Sequence, residues 1–315
     1  MVAEHSSPPP GLAGFVRRHD ILLQEVLWGA AEVIWLALIL AAWLKTRIPQ
    51  AGLLVALNVS TAAAALALRP KMIEARSGIL WILRHWYPVL YYGIFFMETG
   101  ILVPALNSRT YDAQLRAADF ALFGCDPTVA LQRFHNPFLT EFLQICYTSY
   151  YFLPLIAGAG LIRYKGVRAF SIALCTISTG FYLSYLCYFF VPAVGPRFEI
   201  PHSVPLSGVL TFNFIHNSLA GAEGRMPDCF PSGHTAITLL TLWFAWKAHR
   251  KVFWGILPFA TGLIVSTVYL RYHYVVDLIA AVPFIALTVA VAVPLIRAWA
   301  RLRDETVGSV DSASG

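Results

Sequence analysis

Two histidines, an aspartate and a small set of arginines are the residues here whose types and spacing could do chemistry. His234 stands in Asp228-Cys229-Phe230-Pro231-Ser232-Gly233-His234-Thr235, where a long polar loop gives way to an apolar run. Proline, serine and threonine favour a helix start at that point. The unpaired N–H groups and positive dipole end of such a start attract anions, phosphate among them. Gly233 lets backbone come close to the anion, and His234 can give or take a proton near neutral pH. Taken alone, the stretch reads equally well as an ordinary capped membrane helix.

A second block, Ser266-Thr-Val-Tyr-Leu-Arg271-Tyr-His273-Tyr-Val-Val-Asp277-Leu278, puts a histidine and an aspartate four residues apart. If the segment from Tyr272 is helical, His273 and Asp277 share a face. Asp277 then accepts from one imidazole nitrogen, fixes the tautomer and leaves the other nitrogen free as a nucleophile. A self-satisfied pair at a helix end has the same spacing, but an aspartate one turn into a membrane helix is costly without a role. A third block, Val191-Pro-Ala-Val-Gly195-Pro-Arg197-Phe198, carries a guanidinium that can grip phosphate through two parallel hydrogen bonds. Together these are the parts for phosphoryl transfer: an imidazole nucleophile with its carboxylate, a second imidazole, an anion-binding helix start and one or two arginines.

The elements that must position them are membrane helices. Of 315 residues, 58% are hydrophobic and only 13% charged, with a mean hydropathy of +0.64, far from soluble composition. The pattern predicts an all-α polytopic protein with about eight spans, near 21–44, 51–68, 86–106, 138–161, 167–191, 232–246, 252–270 and 274–296. No strand-period alternation suggests a membrane barrel. A disordered, basic lead is expected over 1–20, two accessory spans and a basic connector over 21–85, a six-helix catalytic unit over 86–296, and a disordered tail over 297–315. Residues 107–137 are too polar to span, yet Leu115, Ala118, Leu122, Val129, Leu131 and Phe134 recur at helical spacing, which predicts short helices in the membrane surface. The N-terminus lacks the pattern of a cleaved signal peptide.

Net charge is +6, which orientation explains better than nucleic acid. Most of the lysines and arginines fall in 17–18, 69–84, 163–168, 247–251 and 297–303, the segments that share one side if the termini are cytoplasmic. All three chemical blocks then face the extracytoplasmic side.

The order Gly-Pro-Arg, Pro-Ser-Gly-His, His-x-x-x-Asp resembles the type-2 phosphatidic acid phosphatase superfamily over about residues 86–296. The block Ser266–Leu278 looks most like its inositol phosphorylceramide synthase (inositolphosphotransferase) branch. Two positions depart from the general pattern: Val191 stands where a lysine is usual, and Thr267 where an arginine is, the latter as in the synthase-like branch. The resemblance implies a metal-independent reaction without a cofactor, through a phosphohistidine. His273 would attack phosphorus, Asp277 would orient it, and His234 would act as acid and then base. Arg197, the N–H groups around Ser232 and Gly233, and Arg271 in place of the missing arginine, would hold the phosphoryl oxygens. The substrate implied is a lipid phosphate or phospholipid, and the acceptor is water or an alcohol such as inositol.

Weaker signals point elsewhere. Glu32 and Glu98 lie within spans, as a transporter's ion pathway or plain interhelical bonds would require; a non-catalytic scaffold is a further alternative. The five cysteines give no metal spacing, although Cys125 and Cys229 share a side and a disulfide between them is conceivable. Cys146, Cys175 and Cys187 read as packing residues, and His202 and His216 as solvated.

Overall fold

The computed structural model describes residues 11–75 and 77–303. The start of the expected disordered lead (1–10), Arg76 and the tail from 304 lie outside the described residues. Within them the chain is helical, with no strand.

The remainder of the lead, 11–20, is not disordered: it contains α1 (Leu12–Arg18). Asp20, just after it, takes hydrogen bonds from Arg84 at 2.6 Å and Arg303 at 2.9 Å, so distant cations anchor the segment. Helices α2 (Leu23–Thr46) and α3 (Ala51–Glu74) are the two accessory spans, and α4 (Gly78–Leu106) is the third. Most of the connector expected over 69–85 is therefore helix. Its charges find partners inside, Arg69 reaching both oxygens of Glu25 at 3.1 Å and Arg84 reaching Asp20.

The surface segment forms α5 (Asp112–Phe123), α6 (Pro127–Ala130) and a 3-10 turn at Leu131–Phe134. The expected fourth span is broken into α7 (Pro137–Thr148) and α8 (Leu153–Lys165), bent by 50°. Pro154, in the first turn of α8, has no N–H with which to continue the ladder from α7. Helix α9 (Val167–Phe190) is the most enclosed of the membrane-length helices. The loop after it folds further than its composition suggests, into α10 (Pro196–Glu199) and α11 (Phe212–Glu223). Glu141 of α7 receives the N–H groups of Val209, Leu210, Thr211 and Phe212 at 2.7–3.2 Å and so holds the start of α11. Helices α12 (Gly233–Ala248), α13 (Arg250–Tyr269) and α14 (Val275–Leu302) complete the bundle.

Six helices, α2, α3, α4, α9, α13 and α14, are long and apolar enough to cross a membrane, and the α7–α8 pair makes a seventh if counted as one. The remaining predicted span, α12, has 16 residues, about 24 Å of helix against a hydrocarbon core of about 30 Å. The accessory helices do not stand apart. Trp28 and Trp35 of α2 share one buried cluster with Tyr91 and Phe95 of α4 and with Tyr182 and Tyr185 of α9. In the same region Asn58 of α3 donates to Glu98 of α4, an interhelical bond of the kind expected for Glu98. Glu32 is buried with neither carboxyl oxygen bonded.

Candidate active site

Main-chain hydrogen bonds draw the three sequence blocks together. The Cys229 N–H donates to Ala193 O at 3.0 Å, Arg197 N–H to Arg271 O at 2.9 Å, and Ser232 N–H to Asp277 O at 3.2 Å. Gly195 makes the closest approach. Its φ is +90°, and a Cβ there would lie 2.5 Å from Tyr272 O, so only glycine fits.

Helix α12 begins as its residues dictate. Ser232 caps it, its hydroxyl accepting from the Thr235 N–H at 3.2 Å. That leaves His234 in the first turn, facing the Ser266–Leu278 block. His273 presents Nε2 to Nδ1 of His234 at 3.4 Å and Nδ1 to Oδ2 of Asp277 at 3.3 Å. His273 and Asp277 are almost fully buried and His234 is half-buried. Oδ2 of Asp277 also accepts the Tyr274 N–H at 2.9 Å. With a proton on Nδ1 directed at Asp277, the lone pair of His273 lies on Nε2, and the contact with His234 then requires Nδ1 of His234 to be the donor. The predicted nucleophile, its carboxylate and the second imidazole thus form one hydrogen-bonded line.

The aromatic frame around that line was not foreseen. His234 lies against Tyr147 and Tyr150, with centroids at 4.9 and 4.4 Å, and both tyrosines stand at the α7–α8 break. Tyr147 stacks in turn on Tyr272 at 4.4 Å, and the Arg197 guanidinium lies over the same Tyr272 ring at 4.9 Å. Arg197 also donates to Gly224 O at 2.9 Å. It is therefore joined to the histidine pair through stacked rings.

Arg271 follows a different course. Its backbone is left-handed, φ 70°, and its guanidinium turns away to the carbonyl of Val204. Burial lowers its proton affinity, while its Nε finds no partner. His202 and His216, expected to be solvated, are half-buried instead. His202 bonds Thr128 at 3.1 Å, and burial beside Arg271 pushes it down to about 4. His216 stacks on Phe212 and meets the Tyr272 hydroxyl at 3.3 Å.

Cys229 and Cys125 are both free thiols, so the conceivable disulfide is absent. Cys229 instead directs its thiol at Oδ2 of Asp277, 2.9 Å away, and burial pushes that thiol well above its usual range. The Cys229 sulfur, a His273 nitrogen and an Asp277 oxygen lie within 4.8 Å of one another, close enough to hold a metal ion. Their donors and acceptors are already directed at one another, which makes the set a hydrogen-bonded triad as it stands.

A cavity of about 350 Å³ runs from His234 into the bundle, within the range of about 300–1,000 Å³ for ligand pockets. Asp228, Gly233 and His234 form its polar end, and Trp86, Phe170 and Phe181 line its apolar length. Burial raises the Asp228 carboxyl above its ordinary value. The cavity reaches the bundle surface at Leu90, Tyr151 and Leu155, all exposed. A phosphoester at the histidines and a hydrocarbon chain in the cavity would thus be continuous.

A family model described as the PAP2 superfamily matches residues 113–291, which include all three blocks, all but the first residue of the surface helix α5, and the α7–α8 break. A PA-phosphatase related-family protein of Dictyostelium discoideum is 24% identical over 226 residues, covering 60% of this chain and 41% of the relative. The chain thus spans less than half of that relative's length. No solved structure matches the chain significantly.

Proposed function

The chain belongs to the PAP2 superfamily, and from that premise we propose that it transfers or removes the phosphoryl group of a lipid phosphoester through a phosphohistidine. The reading is carried by the line Asp277–His273–His234, whose last member stands at the polar end of an apolar cavity. In the first step, Nε2 of His273 forms a bond to phosphorus as the bond to the lipid or head-group oxygen breaks. Asp277 holds the Nδ1 proton and stabilises the imidazolium as it forms. His234, as the imidazolium, gives its Nδ1 proton to the departing oxygen and is left neutral, and in the second step it takes one from the acceptor, whose oxygen displaces His273.

Arg197 and the amides that open α12 supply positive potential for the equatorial phosphoryl oxygens. Arg271 joins them only by turning from Val204. The reacting atoms face the extracytoplasmic side on the charge-bias argument, with cytoplasmic termini. The acceptor is open between water and a head-group alcohol such as inositol, and the resemblance of the Ser266–Leu278 block leans towards the alcohol.

The test is to incubate purified protein with lipid phosphates and phospholipids, with and without inositol or other alcohols. A new head-group lipid identifies a transferase, and free phosphate alone a phosphatase. An acid-labile phosphoenzyme should be trapped in the unaltered protein and be absent from His273→Ala. Turnover that survives His273→Ala overturns the mechanism.

A further inference from the structure

Helix α5 lies outside the three catalytic blocks, yet it grips two of them. Asp112 and Asp119 are two turns apart on one face and almost completely buried. Asp112 accepts the N–H groups of Val194 at 3.1 Å and Gly195 at 2.9 Å, just before Arg197. Asp119 accepts those of Val275 at 2.9 Å and Val276 at 2.8 Å, just after His273. The latter two amides open α14 and have no partner within their own helix, and a carboxylate there also faces the positive end of the helix dipole. Burying a carboxylate is unfavourable unless hydrogen bonds compensate; here the compensating bonds come from catalytic-loop backbone and, for Asp112, also from the Tyr274 hydroxyl at 3.2 Å.

The far end of α5 is of opposite character. Phe120, Leu122 and Phe123 are 54%, 59% and 49% exposed. Asp119, next to them in the chain, bonds the first turn of α14, which is long and apolar enough to cross a membrane. An exposed apolar helix end beside the start of such a helix fits the lipid headgroup–acyl boundary.

We propose that α5 is a strut fixing the separation of the Arg197 and His273 loops, and that its bilayer-seated end makes this separation depend on the membrane. Asp112 and Asp119 are then positioning residues, bonded to loop amides and the Tyr274 hydroxyl and never to the phosphoester. The catalytic meaning of the strut rests on the function proposed above.

Two variants in phospholipid vesicles test it, read by turnover and by amide hydrogen exchange at 275–276. Asp119→Asn keeps the side chain's shape but turns an amide NH2 toward one of the two N–H donors. Exchange at 275–276 should accelerate and kcat fall about tenfold with KM little changed, as for a lost buried hydrogen bond. Phe120→Ser/Phe123→Ser alters only exposed side chains. It should accelerate the same exchange and lower kcat by about threefold, a shift of under 1 kcal/mol, while exchange within α12 stays as in the unaltered protein. Unchanged exchange and kcat in Asp119→Asn would overturn the strut. The same result in the phenylalanine pair would overturn its dependence on the membrane. If Asp119→Asn does not fold, the phenylalanine pair decides. If the unaltered protein turns over no phosphoester, the functional reading falls and the exchange rates alone uphold or overturn the strut.

Discussion

Cys229 approaches Oδ2 of Asp277 more closely, at 2.9 Å, than does Nδ1 of His273, at 3.3 Å, and both meet the same oxygen. Each donor draws on the charge that Asp277 offers to the imidazole, so the thiol moderates how strongly Asp277 stabilises an imidazolium. Removing it in Cys229→Ala leaves Asp277 the stronger partner of His273. A stronger carboxylate partner stabilises the imidazolium that forms as His273 attacks, so kcat should rise about two- to fivefold, the effect of one hydrogen bond worth about 1 kcal/mol or less. Cys229→Ser retains a donor and should bring kcat back toward that of the unaltered protein. Unchanged kcat in Cys229→Ala would show that the thiol serves packing alone.

Gly195→Ala should be among the most damaging single-methyl changes in the chain. The residue holds a φ of +90°, and the added Cβ would sit 2.5 Å from a main-chain oxygen of Tyr272, which is no flexible side-chain tip. Strain from the backbone conformation alone is about 1–3 kcal/mol. The contact can relax only if the Arg197 and His273 loops separate. The expected result is a lower Tm in detergent and a large loss of kcat. Normal turnover in Gly195→Ala would mean that these loops need not touch.

The sequence shows the catalytic line and the helical architecture because both are local or periodic. The His273–Asp277 spacing and the apolar runs need no tertiary information, and the polar–apolar boundary at Ser232 marks the start of α12. The clamp of Tyr147 and Tyr150 was hidden, since hydrophobicity continues through the break at 149–153 and only Pro154 signals it. Asp112 and Asp119 read as ordinary charges on a polar surface helix, because their partners are backbone amides more than 80 and 150 residues further along. The long loop's composition concealed α11, whose start depends on Glu141 from a separate helix. Thr211 also donates its hydroxyl to Glu141, a further contact that sequence spacing does not reveal.

The apolar cavity leads to a prediction about chain length. Gly93 lines it, and a Cβ built there meets nothing within 4 Å. Gly93→Leu should favour the helix, by up to about 1 kcal/mol, while occupying cavity volume. If the substrate's hydrocarbon lies there, displacing about two methylenes should raise KM for long-chain lipid phosphates about tenfold. A short, soluble phosphoester should be turned over as before. Equal effects on both substrates would remove the hydrocarbon from the cavity.

Asp20 links the start of the chain to its end. Burial raises its carboxyl, but the hydrogen bonds and charges of Arg84 and Arg303 outweigh that and hold it below its ordinary value of 3.8. A carboxyl lowered in the folded state adds stability that is fully present above its unfolded value and is lost as pH falls through its folded value. Tm should therefore fall as pH is lowered from about 6 to about 3. Asp20→Asn should have a lower Tm at the upper end and a smaller fall. The carboxylate is 39% exposed and the Arg303 side chain 21% exposed, so water and salt weaken these bonds, and the ion-pair part is about 1 kcal/mol or less. Arg84, 9% exposed, is the partner that gives the variant its larger penalty, because its charge stays buried when the carboxylate is removed. Arg303→Gln should accordingly reproduce less of the loss than Asp20→Asn. Equal losses in the two variants would show that the Arg84 contact adds nothing.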